Sequence, residues 1–91
     1  MSNQDPYLSQ LLQALRGASS DQAVQLLTEA ANARQNDARP LLLLGAELVQ
    51  AGKPDAAEAA YTVALQRAPE FWIARFQLGL LQYTSARPAV A

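Results

Sequence analysis

The hydroxyls of Ser9, Ser19, Ser20, Thr28, Thr62, Thr84 and Ser85 could in principle attack a substrate. A hydroxyl becomes a nucleophile only beside a base that takes its proton. The chain has no histidine and no cysteine. The usual general base, the commonest metal ligand and all thiolate and disulfide chemistry are therefore missing. Neither His nor Lys is arranged to activate the hydroxyls, which read as helix caps and solvated faces. Glu47 and Glu58 could form a carboxylate pair, but each reads better as a solvated or ion-paired helix residue. Gly45 and Gly79 are too far apart to make a phosphate-cradling loop, and the turn at Lys53 lacks the phosphate-binding pattern. No enzyme activity and no cofactor or metal is expected.

With catalysis set aside, a binding surface remains, and its class depends on charge and on the elements that carry it. The chain has 91 residues, seven basic and eight acidic, with a formal net charge of -1. No basic patch is dense enough to hold a nucleic-acid backbone. The N-terminus, MSNQDPYLSQLL, has neither the basic region nor the apolar core of a signal peptide. No stretch approaches the run of about 20 apolar residues a membrane span needs. A cytoplasmic location is expected.

Periodicity predicts helices throughout. Residues 1–5 are polar and expected to be disordered. Leu8, Leu11, Leu12 and Leu15 mark a first helix, opened by Asp5-Pro6 and broken at Gly17. Ala23, Leu26, Leu27, Ala30 and Ala31 stripe a second, capped by Ser20 or Asp21 and ending near Arg34 or Gln35. Asp37 is the candidate cap of a third, about Ala38 to Gln50. Its run Leu41–Leu44 is apolar all round, so neighbours are expected on both sides. Gly45 in its middle suggests that another helix backbone passes close by. Gly52, Lys53 and Pro54 form a turn into a fourth helix, which Pro69 closes. The fifth is expected from Glu70 to about Tyr83, with Trp72 in the core at its start.

The sequence also repeats internally. At an offset of 34, Leu44 falls on Leu78, Gly45 on Gly79 and Pro54 on Pro88. Backwards, Ala57 falls on Ala23, Tyr61 on Leu27 and Ala64 on Ala30, while the first helix fits best at 33. One unit is complete, from Ala38 to Phe71. Within it Leu41, Leu44, Gly45 and Leu48 lie on one face of the first helix, Ala57, Tyr61 and Ala64 line the second, and Pro69 ends the unit.

Those eight positions resemble the tetratricopeptide repeat. The resemblance implies an all-α chain of tandem antiparallel helix pairs, an α-solenoid of about five helices with a truncated sixth. It covers residues 6–91: a degenerate unit (6–37), with Leu12 and Gln35 where Gly and Pro are usual; the complete unit (38–71); and an incomplete one (72–91), with Gln82 in place of a large apolar residue. Because repeats bury their faces only against neighbours, the cut-off last unit suggests the N-terminal part of a longer, bacterial-type protein. An activity carried by a missing remainder is one alternative, and a structural homo-oligomer, through a dimer or exchanged helices, is another.

By the same resemblance, the first helices of successive units line a concave protein-binding groove. Its positions would be Arg39, Leu42, Ala46, Val49 and Gln50, then Ile73, Phe76, Leu80 and Tyr83, with Ser9, Gln13 and Arg16 from the first unit. Such a surface, largely apolar with polar edges, suits a helical or extended apolar segment of a partner protein or of a second copy. Gripping an acidic peptide is not expected, because Leu42, Ala46 and Phe76 stand where that mode uses cations.

Overall fold

Good helix formers at helical spacing produce helices here. The structure, a computed structural model, describes residues 6–85. These form five helices: α1 (Pro6–Arg16), α2 (Ser20–Ala33), α3 (Arg39–Gln50), α4 (Pro54–Arg67) and α5 (Trp72–Ser85). No strand occurs among the described residues. Each helix packs chiefly on its neighbours in sequence, and α3 touches both α2 and α4. That agrees with the apolar run at its centre, where Leu41 and Leu44 are buried and Leu42 and Leu43 half-buried. None of these helices is long and apolar enough to cross a membrane. The expected disorder of residues 1–5, the cap at Asp5 and the truncated sixth helix lie outside the described residues.

The helix ends are set by local chemistry. Ser19, not Ser20 or Asp21, caps α2: its hydroxyl accepts the Gln22 N–H at 3.2 Å, and Gln22 Oε1 accepts the Ser19 N–H at 3.0 Å. This reciprocal box satisfies two otherwise orphaned donors. It wins because Gln22 stands three residues after Ser19. Ala38 rather than Asp37 takes the cap position of α3, yet Asp37 Oδ1 accepts the Arg39 N–H at 3.0 Å and so still serves a free donor. Gly52, with φ of 77°, ends α3. Its N–H donates to the Val49 carbonyl (3.1 Å) and the Lys53 N–H to that of Leu48 (2.9 Å). This pair of bonds requires a left-handed residue, the conformation glycine adopts without penalty. The fifth helix starts at Trp72 instead of Glu70, because the Phe71 N–H turns back to the Ala68 carbonyl at 3.0 Å.

Some helix bounds recur at the same spacing. The first and last residues of α2 and α4 are 34 positions apart, and α1 and α3 begin 33 apart. The same register appears in hydrogen bonds: Ala23 N–H to Ser19 O corresponds to Ala57 N–H to Lys53 O, and Arg34 N–H to Ala30 O to Ala68 N–H to Ala64 O. The Thr28 hydroxyl donates to the Val24 carbonyl, and Thr62, 34 residues on, donates to that of Glu58.

The core runs through the middle of the chain. Leu27, Ala30, Leu41, Leu44, Leu48, Ala57, Tyr61, Ala64 and Ala74 belong to one buried cluster. The alanines of α4 hold its backbone close to its neighbours, and this nearness creates the demand for glycine at 45. A methyl carbon on Gly45 would lie 2.7 Å from Tyr61 Cδ1 and Cζ. The crowding group is therefore the Tyr61 ring, not the backbone that the sequence suggested. Gly79 differs: a methyl there would meet nothing within 4 Å.

A candidate protein-binding face

The candidate site consists of the sides of α3 and α5 that the core leaves uncovered. A helix with neighbours on one side only keeps its remaining apolar residues in water, and α5 is such a helix, packed on α4. Ala74 and Leu81 are buried, whereas Ile73, Phe76, Leu80 and Tyr83 are exposed, Phe76 by 58% and Tyr83 by 80%. On α3, Val49, Ala46 and Gln50 are exposed and Leu42 half-buried. Val49 and Leu80 meet at a hollow of about 240 Å³, which Tyr61, Gln77, Leu81 and Thr84 also line. Two of the expected groove residues, from different helices, thus share one cavity.

Other expected members are placed elsewhere. Arg39 folds back on the α2–α3 connection, where its Nε and Nη2 donate to the Asp37 carboxylate at 2.8 and 2.6 Å. It lines a polar hollow with Arg34, Asn36 and Asp37. The pairing holds the Asp37 carboxyl below its ordinary range, the Arg39 hydrogen bond outweighing the opposing effect of partial burial. Ser9, Gln13 and Arg16 share a hollow of about 300 Å³ with Leu12, lined by α1 alone.

Three residues lie differently from what the sequence pattern suggests. Trp72, expected in the core, is 69% exposed, because α5 begins there and turns Ala74 inward instead. Gly79, 34 positions after Gly45 and its match in the sequence pattern, is open. Leu12, expected in the buried stripe of α1, is 45% exposed, since the main contact of α1 is with α2 and covers Leu11. The signal that could have found Trp72 is its spacing: residues 72, 76, 80 and 83 recur every three or four positions, as one face of a helix does.

Two carboxylates link neighbouring helices. Ser20 donates to Glu47 Oε2 at 3.0 Å, tying α2 to α3, and Gln82 donates to Glu58 Oε2 at 3.2 Å, tying α5 to α4. Among the described residues, no group of three or more acidic side chains is placed to hold a metal ion. Arg34 lies 4.1 Å over the Tyr7 ring, a cation–π contact that fastens α1. Arg67 Nη1 donates to the Ala31 carbonyl at 2.9 Å, satisfying a group at the end of α2. Comparison with protein-family models, with curated proteins and with solved structures finds no match for this chain.

Proposed function

We propose that this chain is a non-catalytic protein-binding module, built as tandem antiparallel helix pairs of the tetratricopeptide kind, whose exposed apolar face receives a helical or extended apolar segment of another protein. The observation that carries the reading is the row Ile73, Phe76, Leu80 and Tyr83, exposed along one helix and joined to Val49 of α3 through a shared cavity. Single exposed apolar residues are ordinary on protein surfaces, but contiguous rows of them mark interaction sites. The recurrence of helix bounds every 33 or 34 residues supports the tandem arrangement. Aromatic residues enrich the row as they enrich interface cores, while Gln50 and Gln77 supply a polar edge.

The test is capture of binding proteins from a cell extract with the wild-type chain and with the double variant Phe76→Asp, Leu80→Asp. Both side chains are exposed, so the variant keeps its circular dichroism spectrum and melting temperature. A protein retained by the wild type and lost by the variant is the expected result. An identical set of retained proteins, with no loss, rules this face out. Light scattering on both chains separates binding of another protein from self-association, which would appear as a wild-type oligomer that the variant disperses.

A further inference from the structure

Tyr61 buries a polar atom that the fold does not use. The residue is 1% exposed, and its ring lies against Gly45. Its hydroxyl exchanges no hydrogen bond with any of the described residues. Yet among those residues no polar side-chain atom sealed off from the surface lacks a partner. The hydroxyl therefore keeps an opening, onto the hollow of about 240 Å³ that Tyr61 lines with Val49, Leu80, Leu81, Gln77 and Thr84. Tyr61 and Leu81 are buried and form its floor, whereas Val49 and Leu80 are exposed and stand at its mouth. None of the described residues that line it is charged. The Thr84 hydroxyl already donates to the Leu81 carbonyl at 3.1 Å. The Tyr61 hydroxyl is thus a free donor and acceptor among aliphatic walls.

We propose that this hollow receives one side chain of the bound segment, a neutral carboxamide on an aliphatic stem, as glutamine has, which hydrogen-bonds the Tyr61 hydroxyl. This rests on the proposed use of the exposed face and names what that face selects. Size limits the occupant. Sites for small molecules measure about 300–1,000 Å³, so a smaller hollow takes a single side chain. Charge limits it further: an ammonium or carboxylate entering here loses its water and meets no opposite charge on the lining residues. A purely apolar side chain covers the hydroxyl, strips it of water and returns no hydrogen bond. A short hydroxyl side chain leaves the aliphatic walls uncovered. A glutamine avoids all three, since its methylenes lie along Val49, Leu80 and Leu81 while its amide both accepts and donates.

The probe is a random library of short peptides displayed on phage and selected on the 91-residue chain. Enriched peptides are expected to share a glutamine at one position. The best is labelled with fluorescein and titrated by anisotropy, alongside versions with norleucine or glutamate in place of that glutamine. Tyr61→Phe keeps the ring against Gly45 and removes only the hydroxyl, so this chain melts at the same or a higher temperature than the wild type. It weakens binding of the glutamine peptide about tenfold, and norleucine weakens binding to the wild type by a similar factor. Together the two changes cost no more than one alone, because both remove the same hydrogen bond. A merely structural role for the hydroxyl would lower the melting temperature and would not produce that coupling. A shared apolar or charged residue in the selected peptides, undiminished binding to Tyr61→Phe, or losses that simply add, overturns the proposal. If binding survives Tyr61→Phe but is abolished by Phe76→Asp with Leu80→Asp, the hollow fails and the apolar face stands. If no selected peptide is lost by that double variant, the hollow and the face fail together.

Discussion

The Tyr61 ring is the residue on which the middle of the chain turns. It is 1% exposed, and burial pushes its phenol above the ordinary tyrosine value. Its neutral form is thus favoured in the folded chain, and the associated stability is fully present below about pH 10 and lost as pH rises through the folded pKa. Gly45→Ala places a methyl against this ring. The cost of overpacking, about 1–3 kcal/mol, opposes a gain in helix propensity of about 1 kcal/mol. A net loss of stability is expected in urea denaturation, although alanine is the better helix former. Asp37 gives a second prediction. Its carboxyl is lowered chiefly by the Arg39 hydrogen bond, so its contribution is present above the ordinary aspartate value and lost as pH falls through the lower folded value. Asp37→Asn should therefore melt below the wild type at pH 6, and the gap should close as both are acidified toward pH 2. The pair is partly solvated, so the gap is small.

At the scale of the element, helix ends carry measurable stability. The box formed by Ser19 and Gln22 is the best-defined cap of the chain. Ser19→Ala should cost about 1 kcal/mol in chemical denaturation, whereas Ser20→Ala, which removes an exposed hydrogen bond to Glu47, should cost less. Helix α5 gives a sharper contrast within two adjacent residues. Leu81 is buried and Leu80 is 47% exposed. Leu81→Ala should destabilise by about 2–5 kcal/mol and Leu80→Ala by less than about 0.5 kcal/mol. Equal effects in thermal denaturation would mean that α5 is rotated from the orientation described.

At the scale of the whole molecule, connection is mostly local. Helices contact their neighbours in sequence, and the described residues extend over 49 × 30 × 22 Å. The middle helices therefore have neighbours on both sides, and the outer ones chiefly on one. This explains why α3 contributes five buried residues while α1 contributes only Leu11. It also predicts graded opening: in native-state hydrogen exchange, amides of α3 and α4 should be the slowest, and those of α1 the fastest of the five helices. Uniform protection would contradict this placement of the core.

The sequence by itself determined the all-helical class of the described residues, the bounds of their five helices within about two residues, and the turn at Gly52. Each of these depends on local propensity, on glycine and proline, or on which face of one helix is apolar. Only the tertiary structure decided what each face meets. Gly45 and Gly79 occupy equivalent places in the sequence pattern, yet one lies under a tyrosine ring and the other under nothing. Trp72 and Ala74 both open α5, and the alanine is the one buried. Arg39 sits among groove positions in the pattern but is drawn away by Asp37. The physical reason is the same throughout: periodicity says which residues share a face, and burial depends on whether a second helix lies against it.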